Sequence, residues 1–283
     1  MIYVSLSRFS SERADKAIVT LAEHGFLNIE MSSDTAYYDG FEADLSGLKK
    51  KYGLNLLCHN YFPPAAGDFV LNLASLDDKI YRTGIVQLKR TIDLCRKIGA
   101  DKLGFHSGFL FDLSIQELGG EVALHELYPE EDAFSRFRSA FEELKGYGRD
   151  MTLYLENNVL TERTKRIYTR SPFMLTDLGS YNELRKIMDF KLLLDVGHLK
   201  VSAHSLGFDF PGQLAALLQE TDYIHLSDND GREDRHLALG AGSGLWDILN
   251  GCDLRDKTIT LETNVDGIDE LKRMRVALEE LSR

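Results

Sequence analysis

Eight histidines occur along the 283-residue chain. Five of them, His59, His106, His198, His225 and His236, stand at or just past the ends of short β-rich runs. Four carboxylates share those positions: Glu156 in LYLENN, Asp195 in LLLDVGH, Glu262 in TLETN and Asp234 in EDRH. An extended Asp-x-His would carry the side chains of Asp234 and His236 on the same side. Any one such residue is usually a packed or solvated group; here six different strand ends each bring a donor. Four carboxylates gathered in one place repel by about 3 kcal/mol per pair at about 5 Å and an effective dielectric of about 20, so they take up protons or share cations. Metal is the simpler answer. Imidazole and carboxylate donors without thiolate suit Zn²⁺, Mn²⁺, Co²⁺ or Fe²⁺ better than Ca²⁺, and an all-protein Mg²⁺ site is disfavoured. Cys58 precedes His59 in an extended run and should face the other way.

The elements that must position these residues recur along the whole chain. Eight β-rich runs are expected at Ile2–Leu6, Phe26–Met31, Leu54–Cys58, Lys102–His106, Thr152–Glu156, Leu192–Asp195, Tyr223–Leu226 and Thr258–Glu262. Between them lie segments of helical spacing, such as Ile85, Leu88, Ile92 and Cys95, or Ile268, Leu271, Met274, Leu278 and Leu281. Gly25, Gly53 and Gly99 each follow a helical pattern and precede a strand, where a left-handed C-terminal residue favours glycine. Alternation in units of about 35 residues, without a Pro/Gly/Ser-rich linker, predicts one domain over residues 1–283. Its class is α/β, a single (β/α)₈ TIM barrel, with an open doubly wound sheet as the alternative. The first strand is not followed by G-x-G-x-x-G, which argues against dinucleotide binding.

Hydrophobic residues at 43% supply a sizeable core. A net charge of −12 disfavours non-specific attraction to nucleic acid or an anionic membrane. Met1–Leu6 is apolar but reaches Arg8 too soon for a signal peptide, and no run approaches the ~20 apolar residues of a membrane span. A cytoplasmic protein without a membrane partner is expected. Cys58, Cys95 and Cys252 are odd in number and lack a C-x-x-C pair, so reduced core residues are expected.

Three features together resemble the xylose-isomerase-like barrels, which include sugar isomerases and epimerases and the zinc-dependent endonuclease IV group. They are HLSDNDGREDRHLALGAG (His225–Gly242), DVGH (Asp195–His198) and the pairing of Glu156 with Glu262. HNYFPPAAGDFVLNLAS (His59–Ser75) is similar to the segment after the third strand in endonuclease IV. The endonuclease pattern implies nine metal ligands: His59, His106, Glu156, Asp195, His198, His225, Asp234, His236 and Glu262. Metals would then activate water and neutralise phosphate oxygens of an abasic-site phosphodiester, with Glu156 or Glu262 bridging two ions. The sugar-isomerase pattern implies only Glu156, Asp195, His225 and Glu262 around one metal. Glu156 and Glu262 would exchange a carbon-bound proton through a metal-stabilised enediolate, and His198 would contact a hydroxyl. His59, His106 and His236 would then bind substrate or a second ion.

The fifth-strand motif continues as ENNVLTERTKR and the DNA-penetrating loops of the endonuclease are not identifiable, so the balance favours an isomerase or epimerase of a sugar or sugar phosphate. The alternative is an endonuclease IV-like zinc phosphodiesterase, and only that reading brings nucleic acid as partner. Zn or Mn is expected, at one to three ions per chain; a homo-oligomer is left open. Arg163, Lys165, Arg166 and Arg170 in the fifth loop are surface charge or, at a barrel mouth, hold a phosphate or carboxylate. Arg163 and Arg166 are the substrate-binding candidates. The long segment from Gly108 to Asp132, with Phe109, Phe111 and Tyr128, would form a lid or pack on a neighbour. Phe62 and Trp246 would stack on a sugar face or sit in the core. Glu30, on the second strand, would bind substrate or pair with Arg8.

Overall fold

Among the described residues eight strands hydrogen-bond in chain order, all in parallel, and the last closes on the first, which rules out the open sheet. They are β1 (Ile2–Ser5), β2 (Asn28–Met31), β3 (Asn55–His59), β4 (Lys102–His106), β5 (Thr152–Glu156), β6 (Lys191–Asp195), β7 (Tyr223–Leu226) and β8 (Thr258–Leu261). The outer layer contains α1 (Ala14–Glu23), α2 (Phe41–Tyr52), α3 (Asp78–Ile98), α4 (Glu130–Tyr147) and α5 (Glu162–Ile167). It continues with α6 (Leu178–Ile187), α7 (Val196–Leu206), α8 (Phe210–Gln219), α9 (Gly244–Leu249) and α10 (Ile268–Leu281). This computed structural model describes every residue except 10, 11, 33, 37, 65, 66, 68, 118–121, 241 and 283. Parts of the segment after the third strand (65, 66, 68), of the long fourth connection (118–121) and of LGAG (241) therefore lie outside the described residues.

Period-two alternation explains how one strand serves both core and site. Leu56 and Cys58, Leu103 and Phe105, Leu153 and Leu155, Leu192 and Leu194, Ile224 and Leu226, and Ile259 and Leu261 belong to the large core packed by the helices. The residues between them turn into the barrel. Tyr3, Leu57, Tyr154, Leu193 and Tyr223 form a separate apolar cluster there. One step further along the same strands come His59, Glu156, Asp195 and His225. Parallel register sets His106 beside Glu156 and Asp195 beside His225 on neighbouring strands. At Gly104 an added Cβ would fall 2.5 Å from Leu193 Cδ2 and 3.7 Å from the His59 ring, so glycine keeps the lumen open at this level.

Left-handed glycines end α2 and α3 at Gly53 and Gly99, and Gly25 has φ +84 just beyond α1. On α3, Ile85, Leu88, Ile92 and Cys95 form the buried stripe that its spacing predicts. No helix among the described residues is long and apolar enough to cross a membrane. All three cysteines are free thiols; Cys58 and Cys95 are buried and Cys252 partly so.

Several side chains with two readings resolve toward packing. Phe62 is 1% exposed and meets Phe41 edge-on, and Trp246 is half-buried against the core. Phe109 pairs with Phe173, while Phe111 stacks on His125 and Tyr168. Backbone bonds from Leu110 to Pro172 and from Met174 to Gly108 tie the start of the long fourth connection to the fifth. These aromatics form a satellite core.

Candidate metal centre at the barrel mouth

Glu156, the last residue of β5, stands at the centre of the donor set. Its Oε2 lies 2.7 Å from His59 Nε2 and 3.2 Å from His106 Nδ1. Its Oε1 lies 3.2 Å from His225 Nδ1, which is also 2.9 Å from Glu262 Oε2. Two overlapping groups result, in each of which the donor atoms fall within 4.8 Å of one another: His59, His106 and Glu156, and then Glu156, Asp195, His225 and Glu262. For comparison, two ligands of a tetrahedral zinc ion with bonds of about 2.0–2.1 Å are about 3.3 Å apart.

A strand-to-helix junction supplies the next donor. Asp195 ends β6 and is also the N-cap of α7, its Oδ1 accepting the His198 amide at 2.7 Å. This cap sets His198 on the first turn of α7. Gly197 is required between them, because a Cβ there would lie 2.7 Å from Ser227 Oγ and 3.2 Å from Asp195 Oδ1. Asn157 clamps both backbone groups of Asp195 and accepts His198 Nδ1 on its own carbonyl at 2.8 Å. That bond fixes the His198 tautomer and leaves Nε2 facing Asp234 Oδ2 at 3.1 Å.

His236 repeats the arrangement. Its Nδ1 contacts the Glu262 carbonyl at 3.1 Å, and its Nε2 lies 3.0 Å from the same Asp234 oxygen. Asp234 and His236 do meet, but not through an extended Asp-x-His: His236 has φ +47, in the left-handed region. Backbone bonds between Asp228 and Leu237, and from Asn264 to His236, hold this turn against the barrel rim. The donor set thus grades from a buried floor, with Glu156 at 1% and His225 at 0% side-chain exposure, to a rim with His236 at 31%.

Electrostatics marks the same residues. Burial would raise the Glu156 carboxyl, but His106, His59 and His225 hold it well below the usual range. Burial likewise opposes charge on His225 and His198, which the surrounding carboxylates push well above the ordinary imidazole value. His59 is raised against burial by Glu156. His236 is raised, against burial, to about 9 by Asp234. Glu262 is lowered, against burial, to about 2 by His225. Burial dominates at His106, lowered to about 4, and at Asp195, raised to about 6.

The residues fit a divalent cation. Glu156 Oε1, Asp195 Oδ2, Asp234 Oδ1, His106 Nδ1 and both ring nitrogens of His225 are buried without an aligned hydrogen-bond partner among the described residues. Unsatisfied groups of this kind are costly in a protein interior, and a shared cation would satisfy them together. Metal must displace the imidazole protons. Zinc uptake at pH 7 is expected to release more than one proton, read as a binding enthalpy that varies with the ionisation enthalpy of the buffer; a buffer-independent enthalpy would contradict this.

The chelator-stripped protein should also lose stability as pH rises. The His236 contribution is full below its ordinary 6.5 and is lost through about 9. The raised Asp195 acts in the same direction at lower pH, its contribution being lost between 3.8 and about 6. A melting temperature that falls between pH 6 and 9 is expected, and a flat or rising one would count against these shifts.

All nine expected donors thus converge. Arg163 and Arg166 do not join them in the same way: both are exposed on α5, and Arg166 pairs with Glu162 one turn away at 2.6 Å. Lys165 bonds the Ser205 carbonyl, and Arg170 pairs with Glu130. Glu30 is the residue that sequence reasoning misplaced. It is fully buried and receives the hydroxyls of Tyr223 and Thr260, while its Oε1 lies 2.8 Å from His225 Nε2. Arg8 is not among these partners.

Comparison with known proteins gives concordant results. The family profile described as xylose isomerase-like TIM barrel matches residues 18–282. The probable endonuclease 4 of Thermotoga petrophila is 24% identical over 211 residues, 68% of this chain and 63% of that protein. The aligned region thus spans under two thirds of the length of that curated relative. Among solved structures, a D-tagatose 3-epimerase-like protein superposes with a TM-score of 0.71 at 18% identity, covering 99% of this chain and 96% of the other. Endonuclease IV from Thermus thermophilus does so with 0.61 at 16% identity, covering 99% of each. Both likenesses are of fold.

Proposed function

The chain belongs to the xylose isomerase-like TIM barrel family, and from that premise we propose that it is a multinuclear divalent-metal enzyme that hydrolyses a phosphodiester. One observation carries the reading: five donors beyond the four a mononuclear sugar isomerase needs are packed against those four. His59, His106 and Glu156 would hold one ion, Glu156, Asp195, His225 and Glu262 a second, and His198, Asp234 and His236 a third, with zinc the best match to the donors. Divalent ions held there would supply Lewis acidity and stabilise negative charge on substrate oxygens.

Charge supports the same reading. The donor carboxylates and the buried Glu30 together carry −5 when all five are ionised. Three divalent ions, with the imidazoles that hold them deprotonated, turn that −5 into +1, which attracts an anionic substrate. Within this frame Glu156 joins the first two groups, Asn157 orients His198, and the half-open His236 with Asp234 meets the substrate at the rim. Arg163 and Arg166 would contact only the outer end of a long substrate. Arg166→Ala is expected to change KM less than about threefold, as for an exposed ion pair; a tenfold rise would place Arg166 inside the site.

The second reading, sugar isomerisation or epimerisation, is favoured by the closed set of Glu156, Asp195, His225 and Glu262, which suffices for enediolate chemistry. In that reaction Glu156 must reach a substrate carbon, yet it is 1% exposed and crowded by three imidazoles.

The test is incubation of the zinc-loaded protein with bis(4-nitrophenyl) phosphate and, at low and high salt, with an abasic DNA duplex. Chelator-sensitive cleavage of a phosphodiester is the expected result. A net charge of −12 makes long-range attraction to DNA weak, so the small diester is the stricter probe. Solvent deuterium entering a ketose or aldose carbon, without diester cleavage, would establish the second reading instead.

A further inference from the structure

We infer that Glu30 is a positioning residue that fixes which nitrogen of His225 faces the metal donors, an inference that rests on the metal-centre reading. Glu30, Tyr223, His225 and Thr260 are each 0% exposed and lie on three different strands. The Tyr223 and Thr260 hydroxyls both donate to Glu30 Oε2. That leaves Oε1, which lies 2.8 Å from His225 Nε2. Neither atom has a hydrogen-bond partner among the described residues, so the link between them is a close charge contact and not an aligned hydrogen bond. On the opposite edge of the ring, Nδ1 lies 2.9 Å from Glu262 and 3.2 Å from Glu156.

The chemistry of the ring makes this arrangement directional. A neutral imidazole carries one N–H and one lone pair. An ionised carboxylate only accepts, so Glu30 selects the tautomer with hydrogen on Nε2 and the lone pair on Nδ1, beside Glu156 and Glu262. The two hydroxyls keep Glu30 from rotating away. Glu30, His59 and His225 also lie close enough to suggest a further ion shared by the three. That use would need the His225 Nε2 lone pair, which is taken up when the charge of Glu30 keeps the proton on Nε2.

The test compares wild type with Glu30→Gln and Tyr223→Phe, using zinc competition against a chromophoric chelator, zinc content at saturation, and the visible absorption of the cobalt-substituted protein. Glu30→Gln keeps the shape but removes the charge that favours an Nε2 proton. It should weaken zinc binding by about 10–100-fold, as loss of an outer-shell partner does. Zinc content at saturation should stay unchanged and the cobalt bands should shift. Tyr223→Phe should weaken binding in the same direction by less, and it carries the test should the glutamine variant not fold. Wild-type affinity in the folded variants would overturn the inference, as would loss of one whole zinc equivalent, which would make Glu30 a ligand. Failure of the phosphodiesterase reading is separate, since it is read on the wild type alone.

Discussion

Glu156→Gln is expected to lower metal-dependent turnover by at least about 10³-fold and to strip ions from two of the three donor groups at once. The reason is geometric: among the described residues, Glu156 alone belongs to both the His59/His106 group and the Asp195/His225/Glu262 group. Its two oxygens serve different neighbours, so a carboxamide, with one oxygen and no charge, cannot hold both. Glutamine nearly preserves volume but removes the counter-charge of His59, His106 and His225, so the variant should fold with a lower melting temperature in the metal-free state. Elemental analysis and kcat on the folded variant check this. Zinc content like that of wild type with kcat within tenfold of it would remove Glu156 from the centre.

The second large effect is expected from Asp234→Asn. Asp234 Oδ2 is the common neighbour of His198 and His236, at 3.1 and 3.0 Å, and Asp234 takes no part in the two inner groups. The variant should lose one zinc equivalent and about 100-fold in diester cleavage, the size of effect seen when one transition-state donor is removed. The inner groups should stay filled, because His198 remains tied to the Asn157 carbonyl and Asp195 still caps α7. This variant also separates the two reactions. Enediolate chemistry at the inner four residues does not use Asp234, so sugar turnover at wild-type rate in Asp234→Asn would exclude the outer group from the reaction.

How much of this was legible in the chain depended on whether a residue's role is decided locally. The apolar runs LYLE and LLLD end on Glu156 and Asp195 and identify them as strand-terminal, the barrel follows from eight such units, and their inward facing is set by the core on the other face. DVGH stands out in the chain as a resemblance, and the structure supplies its reason: cap, close-packed glycine and histidine lie within one turn. EDRH led to the right partners by the wrong geometry, since the left-handed His236 is held by contacts with Asp228 and Asn264 that spacing does not reveal. Glu30 reads in the sequence as a substrate or Arg8 partner because its actual neighbours, Tyr223, His225 and Thr260, are roughly 190–230 residues distant. Only closure of the barrel brings them together. The basic fifth loop drew attention by composition, whereas Arg166 is committed to Glu162 on its own helix.

The most direct measurement is elemental analysis of the zinc-reconstituted wild-type protein after removal of unbound metal. Three zinc ions per chain are predicted. One ion or none, with His198, Asp234 and His236 free of metal, would contradict a multinuclear centre and with it the hydrolytic function.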